Sequence, residues 1–210
     1  SSSPGQILLG TLLALRIPWF SRRFWPVRLR LTRPALVPFT FPEGRFAPLA
    51  GVACPARASN ARAAFDEAVL FTHRGLSGPA VLQLSSYWRE GEQIALNLDP
   101  EGQVFAGLRA QRQDAGRIQL STALARHLPA RLAEQILAEL GTGGRLADQP
   151  DSGLRRLADA LADWRLTPAG SEGWRTAEVT LGGIATDALD ARTMEAKAAP
   201  GLHFIGECVD

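Results

Sequence analysis

The chain has 210 residues, of which 46% are hydrophobic and 21% are charged, and its formal net charge is +2. This composition is ordinary for a soluble globular protein, and the length allows the chain to bury a hydrophobic core. Two cysteines are too few for a disulfide framework in a chain of this size.

The charge is distributed unevenly along the chain. Residues 1–42 contain six arginines and no acidic residue, which leaves 17 basic and 21 acidic residues in the remainder. The arginines of this basic segment lack the regular spacing of a surface that binds nucleic acid or lipid. We therefore expect neither a nucleic acid nor a membrane as a partner.

Residues 1–30 form an atypical N-terminal arm that mixes Leu, Ile and Val with Trp and Arg in no helical or strand-like period. Ordering such a segment costs backbone entropy without burying an apolar face, so we expect the arm to be poorly ordered. Its apolar run Ile7–Leu15 follows no basic residue and is far shorter than the roughly 20 residues of a membrane span. Cys54 and Cys208 form no CxxC pair, which favours a reducing, cytoplasmic location.

Residues 31–102 are predicted to form the first part of a β-rich domain. Short apolar runs at Ala35–Phe41, Ala68–Thr72 and Ile94–Leu98 are bounded by Pro, Gly and Asn, as is typical of strands. Pro79 occupies the position that favours the start of a short helix between the second and third runs.

From 103 to 165 apolar residues recur at every third or fourth position, which predicts a helical insert. One helix is bounded by Pro129 and Gly141, and each apolar stripe must be buried against another element. Strand-like alternation returns over 166–189, and the last segment, 190–210, begins a further unit. This order predicts an α+β fold in which a small helical bundle is inserted into a β-rich domain.

The segment Phe71–Pro79 joins a strand to a helix and concentrates residues that carry chemistry. Such a turn can present His73 as an acid or base. Ser77 resembles the nucleophile of a GxSxG elbow, but Pro79 occupies the closing glycine position. An ordinary turn, with a special backbone conformation at Gly75 and Ser77 as the helix cap, explains the same residues.

Two glycine-rich turns indicate close approach of a ligand. Gly182 and Gly183 follow an alternating strand, and the final strand ends in Gly206 and Glu207. A glycine followed by an acidic residue commonly brings backbone and carboxylate to a hydroxyl group of a nucleotide cofactor. Because no helix follows this turn and the chain begins without Met, we expect it to be a piece of a longer protein.

Six motifs in the same order resemble the aminoacetone-oxidase-like family of NAD(P)/FAD-dependent oxidoreductases, which are bacterial flavoproteins. The motifs are Arg33–Pro38, Phe46–Gly51, Phe71–Gln83, Val179–Ile184, Thr193–Lys197 and Pro200–Glu207. The resemblance covers about residues 31–210. In that family a nucleotide-binding segment precedes this region and a glycine-rich segment follows it, so both would be partners from the same protein.

The resemblance implies a fragment of an FAD-dependent oxidoreductase that acts on a small-molecule substrate, with NAD(P)H as a further electron donor. It implies a barrel-like β-rich domain on the substrate side, the inserted helical bundle, and a final strand that belongs to a truncated FAD-binding α/β domain. The sequence leaves two alternatives open, a binding or interaction module without catalysis and a serine hydrolase that uses Ser77.

The same resemblance assigns the candidate site residues. Gly206, Glu207 and Asp210 would lie near the ribityl or pyrophosphate part of FAD, with Gly182 and Gly183 near the flavin ring. His73 is the candidate catalytic acid or base. No metal is expected, because the three histidines have no metal-ligand spacing with each other or with the cysteines.

Overall fold

The structure of the chain is a computed structural model that describes residues 27–210. The described residues form two compact units, one made of 31–181 and the other of 27–30 together with 182–210. The expected disorder of the arm falls mostly outside the described residues, because only its last four residues are among them.

The unit of residues 31–181 is built on a seven-stranded antiparallel sheet with the strand order β7-β6-β3-β4-β5-β2-β8, while β1 and β9 form a separate antiparallel pair. The strands are β1 Arg33–Ala35, β2 Phe39–Thr40, β3 Ala53–Ser59, β4 Ala64–Phe71, β5 Gly75–Ser77, β6 Ile94–Asn97, β7 Trp164–Leu166, β8 Gly170–Ser171 and β9 Val179–Leu181. The helices are α1 Pro79–Ser85, α2 Val104–Ala115, α3 Leu120–Leu124, α4 Ala130–Glu139 and α5 Asp151–Ala162.

The predicted strand over residues 35–41 is interrupted, because β1 ends at Ala35 and β2 begins at Phe39. Leu36 has a φ of +48°, which turns the chain between the two strands. The backbone N–H of Val37 donates a hydrogen bond to Ser85 Oγ at 3.0 Å. The two halves of the run therefore pair in different sheets.

The sequence analysis missed β3. This strand pairs with β4 over its whole length, Ala53–Ser59, which is the longest strand pairing in the sheet. Cys54, Ala56 and Ala58 alternate on its buried face. Alanine and proline are weak strand formers, so the alternation carries little signal in the sequence. Pro55 lies in the part of β3 that pairs with β4 alone, where a residue without an N–H is tolerated.

The four helices α2 to α5 lie within residues 104–162, where the apolar period predicts a helical region. Their buried side chains, including Leu108 and Leu157, share one hydrophobic core with sheet residues such as Phe71 and Leu96. The helical region therefore packs onto the sheet and has no separate core. This confirms the predicted combination of a β-rich domain with helices, while the predicted zone boundaries stay predictions.

The unit of residues 27–30 and 182–210 has a small core of its own, formed by Val27, Ile184, Leu189 and Ala196. Ile184 is its central residue, because Leu29 bridges to it in the antiparallel sense and Val209 in the parallel sense. The unit is held mainly by such short backbone contacts.

Asp99 stabilises the start of the helical region. Its carboxylate accepts hydrogen bonds from the N–H groups of Gln103, at 2.9 Å, and Val104, at 3.0 Å, and the residue is only 9% exposed. We expect Asp99→Ala to lower the free energy of unfolding by about 1–2 kcal/mol, because two donors at a helix N-terminus lose their acceptor. Urea denaturation measures this, with Asp114→Ala on the exposed face of α2 as the control. Equal stability of the two variants would contradict the assignment.

Candidate functional site

A cavity of about 690 Å³ lies in the unit of residues 31–181, beside the part of the sheet where β2 pairs with β5 and β8. It is lined by Thr40, Phe41, Glu43, His73, Arg74 and Ser171. The lining combines an aromatic ring with hydroxyl, carboxylate, imidazole and guanidinium groups. A cavity lined in this way can hold a small polar molecule that both donates and accepts hydrogen bonds.

The turn after β4 holds His73 in a fixed position at the edge of this cavity. The Thr72 hydroxyl accepts hydrogen bonds from the backbone N–H groups of Arg74, at 3.3 Å, and Gly75, at 3.0 Å. A Cβ at Gly75 would lie 2.1 Å from the carbonyl oxygen of Phe39, so only glycine lets the turn approach β2 this closely. His73 itself is exposed, which leaves its imidazole accessible to a ligand.

Arg74 lies next to His73 and is held by an acidic partner from a distant part of the sequence. Its Nη1 atom is 3.6 Å from Oε2 of Glu172, whose side chain is only 14% exposed. His73 and Arg74 both line the cavity. The cavity therefore offers one candidate proton donor and one cation that has an acidic partner.

Ser77 is not the helix cap that the sequence suggested. It lies half-buried in β5, opposite Leu70. The N-cap of α1 is Gly78, and no side chain caps that helix.

In the other unit, Gly183 and the end of the chain are brought together. The Ile184 N–H donates to the Cys208 carbonyl at 2.8 Å, and the Ile184 carbonyl accepts from the Asp210 N–H at 2.9 Å. A Cβ at Gly183 would lie 2.5 Å from the Cys208 carbonyl oxygen. The need for glycine at position 183 thus follows from the packing of the chain against itself.

The carboxylate of Asp210 already has a partner. Its Oδ2 atom lies 2.6 Å from Nε of Arg30, and the Arg30 N–H donates to the Gly183 carbonyl at 2.7 Å. Asp210 therefore serves the structure of this unit, and its carboxylate is neutralised by an arginine.

The turn Gly206–Cys208 is open, in contrast. Gly206 has a φ of +77°, and a Cβ there would have no atom within 4 Å. Glu207 is exposed, and within residues 27–210 its side chain makes no hydrogen bond or ion pair. Its carboxylate is free to accept hydrogen bonds from hydroxyl groups of a ligand. Gly182, with a φ of +85°, lies in the same unit.

A second cavity in this unit, of about 270 Å³, is lined by Asp190, Thr193, Glu195, Ala196, Lys197 and Pro200. The Asp190 carboxylate accepts hydrogen bonds from the N–H groups of Thr193 and Arg192, both at 3.0 Å. These bonds, with that of Thr193 first, lower the pKa of Asp190. The ionised carboxylate therefore holds the loop at neutral pH, and this contribution is lost as the pH falls through the lowered pKa.

The two cysteines differ in reactivity. Burial raises the pKa of the Cys54 thiol to about 11, whereas Cys208 is exposed. We expect iodoacetamide at pH 8 to label Cys208 alone in the native protein and both cysteines in urea, as measured by peptide mass spectrometry. The protonated thiol of Cys54 favours the fold below about pH 9, and this contribution is lost as the pH rises through about 11. Native labelling of Cys54 as fast as Cys208 would contradict its burial.

The predicted site residues are divided between the two units. His73 lies in the unit of 31–181, and Gly182, Gly183, Gly206, Glu207 and Asp210 lie in the unit that ends the chain. Sequence reasoning missed Thr40, Arg74, Ser171 and Glu172 at the larger cavity. Of these residues, only Arg74 could have been identified as a site residue from the sequence, because it follows His73 in the same motif.

Two kinds of feature are absent from residues 27–210. None of the helices in this range is long and apolar enough to cross a membrane. Within the same range, no group of three or more His, Cys, Asp and Glu side chains is arranged to hold a metal ion.

Helices α2 to α5 lie between strands β6 and β7 of the sheet domain. The chain therefore belongs to the class of β-rich domains with a helical insert. The chain belongs to the HI0933-like family, since residues 33–179 match its protein barrel and H2TH domain. The matched range nearly coincides with the compact unit of residues 31–181.

Two curated relatives carry the same name. The chain is 46% identical over 192 residues to the ribosomal RNA dihydrouridine synthase of Escherichia coli strain K12, which covers 85% of this chain and 46% of the relative. It is 38% identical over 182 residues to the ribosomal RNA dihydrouridine synthase of Haemophilus influenzae strain Rd, covering 85% of this chain and 45% of the relative. The chain thus spans about half the length of the curated relatives it matches.

These findings correct the sequence-based identification. The assignment to the aminoacetone-oxidase-like family is wrong. The function inferred from it, a fragment of an FAD-dependent oxidoreductase that acts on a small-molecule substrate, is therefore wrong too. Both relatives are named for a ribosomal RNA, so the expectation of no nucleic-acid partner is wrong as well. The glycines of the motifs led to the wrong family because backbone packing requires glycine at positions such as Gly75 and Gly183. Such a requirement gives no information about the substrate.

Proposed function

We propose that the protein to which this chain belongs reduces a uridine of ribosomal RNA to 5,6-dihydrouridine. The observation that carries the proposal is the 46% identity, over 85% of this chain, to a relative named ribosomal RNA dihydrouridine synthase. The polar cavity beside β2 supports it, because uracil is a small ring with both hydrogen-bond donors and acceptors.

The reaction adds a hydride to C6 of uracil and a proton to C5, while the π bond between these two carbons is lost. As the hydride adds, negative charge develops on the C4 carbonyl that is conjugated with C5. The protein must therefore supply a proton donor near C5 and a group that stabilises this charge.

We assign the proton donor to His73 and the charge stabilisation to Arg74. The imidazolium of His73 transfers its proton to C5 and is reprotonated by water. Arg74, held 3.6 Å from Glu172, faces the developing charge on the carbonyl.

A flavin is the cofactor we propose, since a reduced flavin supplies a hydride when it is bound. A flavin fits the open turn of Gly206 and Glu207 at the end of the chain. The exposed carboxylate of Glu207 would accept hydrogen bonds from the hydroxyl groups of the flavin's ribityl chain. Asp210, paired with Arg30, fits less well. The form of the flavin (FAD), the roles of Gly182 and Gly183, a flavin domain that includes residues 190–210, and NAD(P)H as the donor stay predictions. The final strand predicted before Gly206 is not formed, because His203 makes only an isolated bridge there, to Glu195.

The full-length protein, loaded with flavin and given NADPH or dithionite, tests the proposal. It is incubated with protein-free ribosomal RNA from cells that lack the gene, and dihydrouridine is measured by mass spectrometry of the digested nucleosides. We expect dihydrouridine to form in ribosomal RNA and not in transfer RNA from the same cells. Its absence from ribosomal RNA, with flavin bound and reduced, would refute the proposed function.

A further inference from the structure

The helical region carries an unbalanced set of arginines. Residues 104–162 contain eight Arg and six Asp or Glu. One carboxylate, that of Asp151, pairs with both Arg109 and Arg112. Among the residues that the structure describes, other arginines of this region form no ion pair, among them Arg117 and Arg145.

Arg117 and Arg145 lie on the same exposed face of two paired segments. Gln119 and Arg145 form an antiparallel bridge, and the Leu146 N–H donates to the Ile118 carbonyl beside it at 2.9 Å. Leu146 is buried and Ile118 is half-buried against the core, whereas the three residues Arg117, Gln119 and Arg145 are exposed. Arg117 lies two residues before Gln119, the residue opposite Arg145, so the two arginines occupy diagonal positions on this exposed face.

The backbone that carries these arginines is firmly placed. The Gln149 side chain donates to the carbonyls of Gly143, at 2.9 Å, and Arg145, at 3.3 Å. A Cβ at Gly116 would lie 3.2 Å from the Cβ of Ala147, so glycine allows the two segments to approach closely. The spacing of the arginines is thus a property of the fold.

Neither guanidinium has a counterion among the described residues. Within residues 27–210 neither Arg117 nor Arg145 makes a side-chain hydrogen bond or an ion pair. Residues 1–26 cannot supply one, because they contain no Asp or Glu. Two like charges on one face repel each other, and an anion placed between them removes the repulsion.

We propose that Arg117 and Arg145, the arginine pair, contact consecutive phosphate groups of ribosomal RNA. The inference rests on the proposed function for the identity of the RNA. The exposed, fixed and uncompensated charges suit a polymer that presents a row of phosphates, since arginine donates to phosphate oxygens in a planar fork. Such contacts position the RNA without reading its sequence.

Binding of protein-free ribosomal RNA to the full-length protein, measured by filter binding over a range of KCl concentrations, tests the arginine pair. We expect Arg117→Ala/Arg145→Ala to weaken binding at least about tenfold at low salt. The slope of log K against log[KCl] should become shallower by about 2, one for each lost phosphate contact. The matched control is Arg57→Ala/Arg165→Ala, which removes two exposed arginines that are paired with Asp66 and Asp163.

The outcomes separate this inference from the proposed function. If the arginine-pair variant binds RNA with the affinity and salt slope of the wild type, the inference is overturned, even when dihydrouridine still forms. If wild-type protein binds no ribosomal RNA, or if the variant loses only binding to phosphatidylserine vesicles, it is overturned too. A selective loss of RNA binding in a protein that makes no dihydrouridine would support the inference and refute the proposed function. Unchanged melting temperatures show that the variants are folded.

Discussion

Replacing His73 with Gln is expected to lower the rate of dihydrouridine formation by about 10²–10⁴-fold, the range typical of a lost general acid. Glutamine keeps polarity and approximate size but cannot transfer a proton to carbon. Binding of ribosomal RNA should stay within about twofold of wild type, because the exposed imidazole makes no contact that holds the fold. Rates are measured under single-turnover conditions with saturating reduced protein.

The matched control is His127→Gln. His127 is also exposed, lies outside the larger cavity, and forms a hydrogen bond with the Gln111 side chain through its ring nitrogen at 3.1 Å. It should retain the wild-type rate. His73→Ala, rescued in part by added imidazole, separates proton transfer from a structural role. A wild-type rate for His73→Gln would remove His73 from the mechanism.

The second large effect is expected in the core beneath α4. Leu137 is 4% exposed and belongs to the hydrophobic core that the helices share with the sheet. Leu137→Asp removes its packing and buries a carboxylate without a partner, so we expect a loss of about 4 kcal/mol or more in the free energy of unfolding.

Leu140→Asp is the control for this variant, because Leu140 lies three residues further along and is 43% exposed. We expect it to cost less than about 1 kcal/mol. Chemical denaturation followed by circular dichroism measures both. Equal midpoints for the two variants would mean that the assigned face of α4 is wrong.

The helices could be predicted because their signals are local. Pro129 and Gly141 bound α4 as predicted, with Pro129 as the N-cap and Gly141 at a φ of +60° just past its end. In α5 the buried residues Leu154, Leu157 and Leu161 repeat at helical spacing. The buried face of β3, by contrast, consists of the small residues Cys54, Ala56 and Ala58, which are buried only when distant parts of the chain form the common core around them.

The site was less accessible to sequence reasoning because its parts come from distant segments. His73 and Arg74 share one motif, but Thr40 and Glu172 reach them only through the pairing of β2 with β5 and β8. From the sequence alone, the excess of arginines was found in residues 1–42. Nothing in the sequence indicated that Arg117 and Arg145 become neighbours when residues 118 and 146 pair.

The most direct test of ribosomal RNA as the substrate is made in cells. Dihydrouridine is quantified in ribosomal RNA from cells of the source organism with the gene deleted and then restored. We predict that it is lost on deletion, returns with the wild-type gene, and does not return with His73→Gln expressed at the same level. Unchanged dihydrouridine in the ribosomal RNA of the deletion strain would contradict the account.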